Sequence, residues 1–290
     1  MKISVLTPSY NAERYLERAI QSVLIQDDPD FEHIVVDGGS TDGTVQILER
    51  HQHIKWISEK DRGQSDAMNK AFALSTGDVI VYLNADDWFE ANVFQHVRAM
   101  FKAAPEHGLV IGNLYDRREG SEAVGLTKPV KDYRRCLQYY KYRFPLNPVS
   151  YFYRREVQEA TGPFPEELHF AMDYWFILRA LSKFSVCESD LVFGTFYFTD
   201  SNKTSQDDCP ETPHMIVTRH IREYDPSVRC FFLRKWYLYH YGVEFFERIK
   251  SPIRRLVYHA FFRRHLTLSE YRKLGFRAAF RQGRGANKNS

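Results

Sequence analysis

The sequence predicts an α/β fold: a mostly parallel sheet flanked by helices, followed by a basic helical C-terminal extension. Three observations predict it. Short apolar runs alternate with segments of helical periodicity through residues 1–112. Each apolar run ends in a polar loop. Residues 228–290 carry 15 Lys and Arg against 3 acidic residues, whereas residues 1–227 carry 25 against 34.

The elements read in order. KISVLT is a strand, and Tyr15, Leu16, Ala19, Ile20, Val23 and Leu24 then recur at helical spacing. HIVVD is a second strand. DGTVQILERH is a short helix with Asp42 placed as its N-cap. IKWIS is a third strand. QSDAMNKAFALS sets Ala67, Met68, Ala71 and Phe72 on one helical face. VIVYL is a fourth strand, ANVFQHVRAMFKAA a helix and LVIGN a fifth strand. From about Leu126 to Pro148 the pattern lapses, and KPVKDYRRCLQYYKYRFP reads as a loop-rich or short helical insert. VSYFYRREVQEATGPF gives a strand, a helix and a turn. FAMDYWFILRALSKF is a helix with Asp173 in its first turn. VCESDLVFGTFYF is late β structure and SNKTSQDDCPETP a polar loop. The organisation expected is one domain over 1–227 and a basic aromatic tail over 228–290.

A hydrophobic content of 43% supplies a sizeable core. No apolar run approaches the ~18 residues of a membrane span. MKISVLTPSYN enters a strand directly, without the features of a secretory leader. Cys136, Cys187, Cys209 and Cys230 lie far apart with no CxxC pair, so reduced thiols in a cytoplasmic protein are expected. No GxGxxG follows the first strand, and neither GxxxxGK[ST] nor HExxH occurs. Dinucleotide, P-loop and zinc-protease sites are thereby set aside.

In an open parallel sheet, ligands bind outside the carboxyl ends of the strands. Those ends carry TPSYN, VDGGSTDG, EKDRGQ and NADD. All four should share one rim. Asp86 and Asp87, adjacent at the mouth of a buried strand, repel each other and resist desolvation. A hard divalent cation, Mg2+ or Mn2+, would relieve that repulsion and bridge to a diphosphate. The plain alternative is a solvated turn capping the next helix. The other three rim loops weigh against it.

TPSYNAERYLERAIQSVLIQ, VVDGGSTDGT and EKDRGQSDAMNKAFALSTGDVIVYLNADDW together resemble a family 2 glycosyltransferase of the GT-A, Rossmann-like fold. The likeness runs through residues 1–113, in order and at normal spacing. It continues more weakly in VSYFYRREVQEATGPFPEELHFAMDYWFILRAL. The resemblance implies a nucleotide-sugar-binding half over 1–113 and an acceptor-binding half over 114–227. It implies that Thr7, Pro8, Tyr10 and Asn11 line the nucleotide. Asp37 would accept from a base N–H, and Gly38 and Gly39 would let the backbone come close. Asp61 and Asn69 would lie near the nucleotide and donor sugar, though Asn69 could equally be a paired helix-face amide. Asp86 would touch the ribose or the metal, and Asp87 would ligate the metal. Asp173 would be the catalytic base of an inverting transfer, an ionised carboxylate facing the acceptor hydroxyl. Lys203 could reach the diphosphate. His169, and the basic Arg134, Arg135, Lys141 and Arg143, are weaker candidates near an acceptor. Two departures stand out: FPLNPVS replaces a more polar stretch, and Trp175 stands where relatives often carry Asp.

The function expected is transfer of a sugar from a nucleotide diphosphate-sugar, UDP-linked by preference, to a hydroxyl of a glycan or lipid-linked saccharide. Cell-surface polysaccharide or glycan synthesis is the setting. A non-catalytic sugar-nucleotide sensor or scaffold is the rival, and it would be marked by loss of the metal or base carboxylate. A sugar-nucleotide pyrophosphorylase would need a Gly-rich basic loop after the first strand, which TPSYNAERY is not. No nucleic-acid motif accompanies the basic tail. Its charge is interleaved with Phe, Trp and Tyr, which suits an anionic membrane surface on the cytoplasmic side. The full chain should therefore sediment with vesicles containing anionic lipid. Equal sedimentation with neutral vesicles overturns that expectation.

Overall fold

The computed structural model describes residues 1–139, 147–199, 212–236 and 239. The chain divides into a compact unit, Met1–Pro226, and a second, Ser227–Ser290. Lys141, Arg143, Lys203, Cys209 and most of the tail lie outside the described residues.

Among the described residues, nine strands form one sheet: β1 Ile3–Ser9, β2 Phe31–Asp37, β3 Ile54–Ser58, β4 Val79–Tyr82, β5 Trp88–Phe89, β6 Leu109–Arg118, β7 Val124–Thr127, β8 Tyr151–Arg154 and β9 Val186–Phe198. Their order is β3-β2-β1-β4-β8-β6-β9-β5, with β7 on β6. The first four pair in parallel. β8 runs antiparallel between β4 and β6, and β9 is parallel to β6. The parallel half matches the expectation, and the remainder is mixed. Every residue of β1 and β4 is buried. That is what continuous apolar runs covered on both faces require.

The helices are α1 Leu16–Leu24, α2 Thr44–Glu49, α3 Gln64–Leu74, α4 Val93–Ala103, α5 Tyr133–Cys136, α6 Arg155–Thr161, α7 Met172–Lys183 and α8 Pro213–Glu223. Residues 229–236 are also helical. α1 buries Leu16, Ala19, Ile20 and Val23, one stripe at helical spacing. α4 buries Val93, Phe94, Val97 and Phe101 against Phe89, Phe152 and Phe193. A second cluster, Leu16, Ile20, Val35, Ile47, Leu48 and Ile54, joins α1 and α2 to the sheet. Each such fully buried side chain is worth about 1.5–3 kcal/mol.

Three local expectations are corrected. α2 starts at Thr44 with Gly43 as its cap residue, and Asp42 stands one position earlier, accepting from Thr44 N at 3.0 Å. β6 runs on to Arg118, past LVIGN, because β7 and β9 pair with its far end. Residues 124–127, at the start of the stretch where the pattern lapses, form a mostly exposed strand too short for its Val124 and Leu126 to announce it. The three cysteines among the described residues are free.

One buried charge holds the amino ends of the strands. Glu32 on β2 accepts from Lys2 Nζ (2.9 Å), Ser4 Oγ (2.7 Å), Lys55 Nζ (2.9 Å) and Thr76 N (2.6 Å). Burial opposes its charge. The Lys2 bond, the Thr76 N–H, Ser4 and Lys55 outweigh burial and hold the carboxyl far below the usual carboxylate range. A depressed folded pKa gives stability that is complete above the unfolded value and is lost as pH falls through the folded one. Glu32→Gln should therefore cost about 2 kcal/mol or more in urea unfolding at pH 7. The variant should also lose less stability than wild type as pH falls below 4.5, the ordinary value.

Candidate active site

The carboxyl ends of β1 to β4 open on a cavity of about 830 Å3. The β1 loop gives Pro8, Ser9, Tyr10 and Asn11, and the β2 loop gives Gly38 and Gly39. The β3 loop gives Lys60, Asp61 and Gly63, and the β4 loop gives Asn84, Ala85 and Asp86. Residues beyond 113 supply the rest of the wall: Asn147, Pro148, His169, Phe170, Met172, Asp173 and Phe196. Four loops far apart in sequence share a rim because parallel strands point their carboxyl ends one way.

Local chemistry shapes each loop. Asn11 adopts φ 47°, a left-handed conformation that Asn tolerates. Its Oδ1 accepts from Thr41 N at 2.9 Å, and its own N–H donates to Ser40 Oγ at 2.7 Å, so the first two loops are tied together. Tyr10 is 64% exposed, an open ring at the mouth. Gly38 packs against the Asp61 carboxylate, and a Cβ there would lie 2.7 Å from Asp61 Oδ2 and push that side chain aside. Asp61 in turn accepts from Gly63 N at 2.9 Å.

Two buried residues of the strand ends lie behind the wall rather than on it. Thr7 is fully buried, and its hydroxyl pairs with His33 Nε2 at 3.0 Å. Burial, with the nearby His53 and His51 charges adding to it, drops His33 to about 3, so it is neutral at physiological pH. Asp37 is likewise fully buried. Its Oδ2 accepts from Gly39 N (3.1 Å), Ser40 N (2.9 Å) and Ser58 Oγ (2.6 Å), and its Oδ1 from the Ser40 hydroxyl. Its observed work is to shape the VDGGS loop. The expected contacts of Thr7 and Asp37 with a nucleotide base are not prepared in this arrangement. Asn69 is also off the wall: its amide is committed at both ends to the backbone of Phe164.

The acid pair splits. Asp86 lines the cavity. Asp87 is fully buried and turned away. Its Oδ2 accepts from Asn84 Nδ2 (3.0 Å) and Asn147 Nδ2 (2.9 Å), and its Oδ1 from Tyr197 N (3.0 Å). Burial and then the Asp86 charge push its carboxyl well above the ordinary range. Burial also raises Asp86. Behind the turn, Arg18 donates to the Asp86 carbonyl at 3.0 Å, with its guanidinium 3.8 Å from the Trp88 ring and 4.3 Å from the Tyr197 ring. The pair does not cap the next helix, since α4 starts at Val93 behind Asn92.

Among the described residues, no three His, Cys, Asp or Glu side chains gather to hold a metal. Asp86 nonetheless fits a cation that takes its other ligands from a bound diphosphate. Mg2+ sites of this kind use one or two carboxylates plus substrate phosphates. The raised Asp86 carboxyl is the group such a cation would relieve. Asp87, expected as a ligand, has both oxygens engaged by protein donors instead.

Asp173 sits in the first turn of α7, half-buried on the cavity wall, and its Oδ1 accepts from Tyr174 N at 2.7 Å. His169 is exposed on the same wall, not packed in the interior. Arg134 and Arg135 lie exposed on α5, away from the wall. Sequence reasoning passes over Asn84, Gln64, Lys60, Asn147 and Phe196, all on the wall. Asn84 could have been found, since it shares the NADD loop. Asn147 and Phe196 carry no local signal and are brought in by the later strands.

A sequence model described as glycosyl transferase family 2 matches residues 4–161. The chain belongs to glycosyl transferase family 2. An uncharacterized glycosyltransferase of Nostoc sp. is 39% identical over 115 residues, 38% of this chain and 36% of that protein. The chain thus spans well under half of that relative. The crystal structure of S. aureus TarS in complex with UDP-GlcNAc superposes with a TM-score of 0.60 at 20% identity, over 79% of this chain and 75% of that one. The mannosyltransferase PcManGT from Pyrobaculum calidifontis, in complex with GDP-Man and Mn2+, gives 0.61 at 20% identity, over 96% and 80%. At those identities the likeness concerns the fold, which is of the GT-A type.

The split of the acid pair in this family 2 chain has a measurable consequence. Asp87→Ala leaves two amide donors and a backbone N–H without their acceptor. It should lower unfolding free energy by about 2–4 kcal/mol. Asp86→Ala removes a carboxylate that burial already disfavours, and should stay within about 0.5 kcal/mol of wild type or exceed it. Urea unfolding of the two variants checks the contrast.

Proposed function

We propose that the protein is an inverting glycosyltransferase that moves a sugar from a nucleotide diphosphate-sugar to a hydroxyl of a glycan or lipid-linked saccharide, with a divalent cation assisting. The observation that carries the reading is a single cavity walled by Asp86 on one half of the chain and Asp173 on the other. A donor bound along the rim has its diphosphate near Asp86. An acceptor entering by the 169–173 wall meets Asp173 from the other side.

Asp86 would hold the cation, Mn2+ or Mg2+, together with diphosphate oxygens. When bound, the cation supplies charge neutralisation for the departing diphosphate. The wall itself has little positive charge to offer: Asp61, Asp86 and Asp173 face Lys60, the one lysine or arginine on its described part. Asp173 takes the proton of the acceptor hydroxyl as that oxygen attacks the anomeric carbon. The bond to the diphosphate oxygen breaks on the opposite face, so the anomeric configuration inverts. Tyr10, exposed at the mouth, offers a face for the base. Gly38 and Gly39 leave room for the close approach of the nucleoside.

The UDP preference draws support from TarS, and PcManGT with its GDP-Man keeps guanine in view. TarS is a poly(ribitol-phosphate) beta-N-acetylglucosaminyltransferase, which supports a cell-surface polymer as the setting. No helix of the described residues is long and apolar enough to cross a membrane. A lipid-linked acceptor would therefore be met at a surface, with 228–290 as the proposed contact on the cytoplasmic side. A sensor or scaffold lacking activity is disfavoured by the presence of both carboxylates on the wall.

A thermal-shift screen with UDP-, GDP- and dTDP-sugars, with and without Mn2+, tests the donor reading. Ligand at 100 times its dissociation constant adds about 2.7 kcal/mol to apparent stability. One nucleotide family should raise Tm, more so with Mn2+, and Asp86→Asn should abolish the metal-dependent part. Asp173→Asn should keep the shift and lower turnover by about 100-fold or more. Near-normal turnover in Asp173→Asn sinks the assignment of the base.

A further inference from the structure

The donor rim and the base stand on different halves of the chain. Something must hold one against the other, and α3 is placed to do it. α3 belongs to the donor half. It is fixed there by the Tyr82 hydroxyl, which donates from β4 to the Met68 carbonyl at 3.0 Å.

Three side chains at one helical spacing reach from α3 and the residue pair before it to the 164–168 segment. Arg62 Nη2 meets Glu166 Oε1 at 2.7 Å. Ser65 Oγ donates to the Leu168 carbonyl at 3.0 Å. Asn69 makes a reciprocal pair: Nδ2 donates to the Phe164 carbonyl at 2.9 Å, and Oδ1 accepts from the Phe164 N–H at 2.8 Å. The 164–168 segment runs directly into His169, Phe170, Met172 and Asp173, all on the cavity wall. At the near end, Gly63 adopts φ 114°, and a Cβ there would lie 3.5 Å from His169 Nδ1.

The three ties differ in weight. Arg62 is 70% exposed, and its ion pair is screened by solvent. Ser65 offers one neutral bond. Asn69 offers two bonds to the same residue, which fix both the position and the twist of the backbone at Phe164. A carboxylate in its place would set an oxygen against the Phe164 carbonyl, and alanine would leave both groups unpaired.

We propose that Asn69 is a positioning residue. It touches no ligand and sets the distance between the nucleotide rim and Asp173 by pinning the segment that delivers α7. The inference rests on the reading of Asp173 as the base. It departs from the family resemblance, which would put Asn69 beside the donor. Misplacing a reacting group by an ångström costs about 100-fold in rate, so the pin has kinetic reach without contact.

The test uses the full chain, wild type against Asn69→Ala and Asn69→Asp, with the nucleotide-sugar that stabilises wild type in the Mn2+ screen. Three quantities are read: nucleotide affinity by calorimetry, release of nucleotide diphosphate, and hydrogen exchange by peptide. The expected result is unchanged nucleotide affinity, release slowed by about 10- to 100-fold, and faster exchange confined to 164–173. Asn69→Asp retains one of the two bonds and keeps the measurement available if Asn69→Ala folds poorly. Affinity lost in proportion to rate, with exchange at 164–173 unchanged, overturns the inference and makes Asn69 a donor contact. Unchanged rate and exchange overturn it as well. Wild-type chain that binds and turns over no donor defeats the transferase reading itself, an outcome separable from failure in the variants alone.

Discussion

The carboxylate of Asp87 is the joint on which the site depends. One fully buried side chain accepts from Asn84 near it on the cavity rim, from Asn147 at the entry to β8, and from the backbone of Tyr197 near the end of β9. Asn84 and Asn147 lie just outside the paired strands β4 and β8, and Tyr197 lies on β9, which pairs with neither. A buried carboxylate without partners would cost several kcal/mol. The need to satisfy it draws the three donors inward. The adjacent backbone is thereby turned so that Asp86 faces the opening. Adjacent in the sequence, the two aspartates are in the fold one rim group and one buried anchor.

Two buried acids in this chain respond to burial in opposite ways, and the contrast shows what sets their charge. Glu32 is held strongly ionised by two lysines, a hydroxyl and a backbone N–H, despite its burial. Asp87 has three neutral donors and a neighbouring carboxylate, and its carboxyl is pushed upward. Arg18 stands near both aspartates, but it spends its bond on the Asp86 carbonyl and its face on Trp88 and Tyr197. Glu32 therefore serves as a permanent charge that closes one end of the sheet. The other end is left with unrelieved acidity, which suits a cation arriving with a phosphorylated ligand.

The parallel half of the sheet was legible residue by residue. VIVYL and HIVVD are short, β-branched apolar runs bounded by turn residues, and both are buried as parallel strands covered on two faces are. Helices α1 and α7 were legible from their spacing. β5 was not, because two residues carry no periodicity. β7 was not, because its residues are exposed and its existence depends on the free edge of β6. Of the residues singled out for a site, Pro8, Tyr10, Asn11, Gly39, Asp61, Asp86 and Asp173 line the cavity. Thr7, Asp37, Asn69 and Asp87 do not, although each belongs to the right motif.

The sequence by itself determined the α/β architecture, the sharing of one rim by four loops and the membership in glycosyl transferase family 2. The first two follow from periodicity and from the rule that parallel strands present their carboxyl ends together, and the third from the motifs that the family model matches over residues 4–161. Tertiary structure alone decided which way each polar side chain turns. A motif specifies that a carboxylate or an amide is present, but not whether donors from distant segments will claim it. Asn147, Tyr197 and Phe164 are those donors and acceptors, and they lie from 60 to 110 positions away from the groups they bind. Only folding brings them close enough to choose.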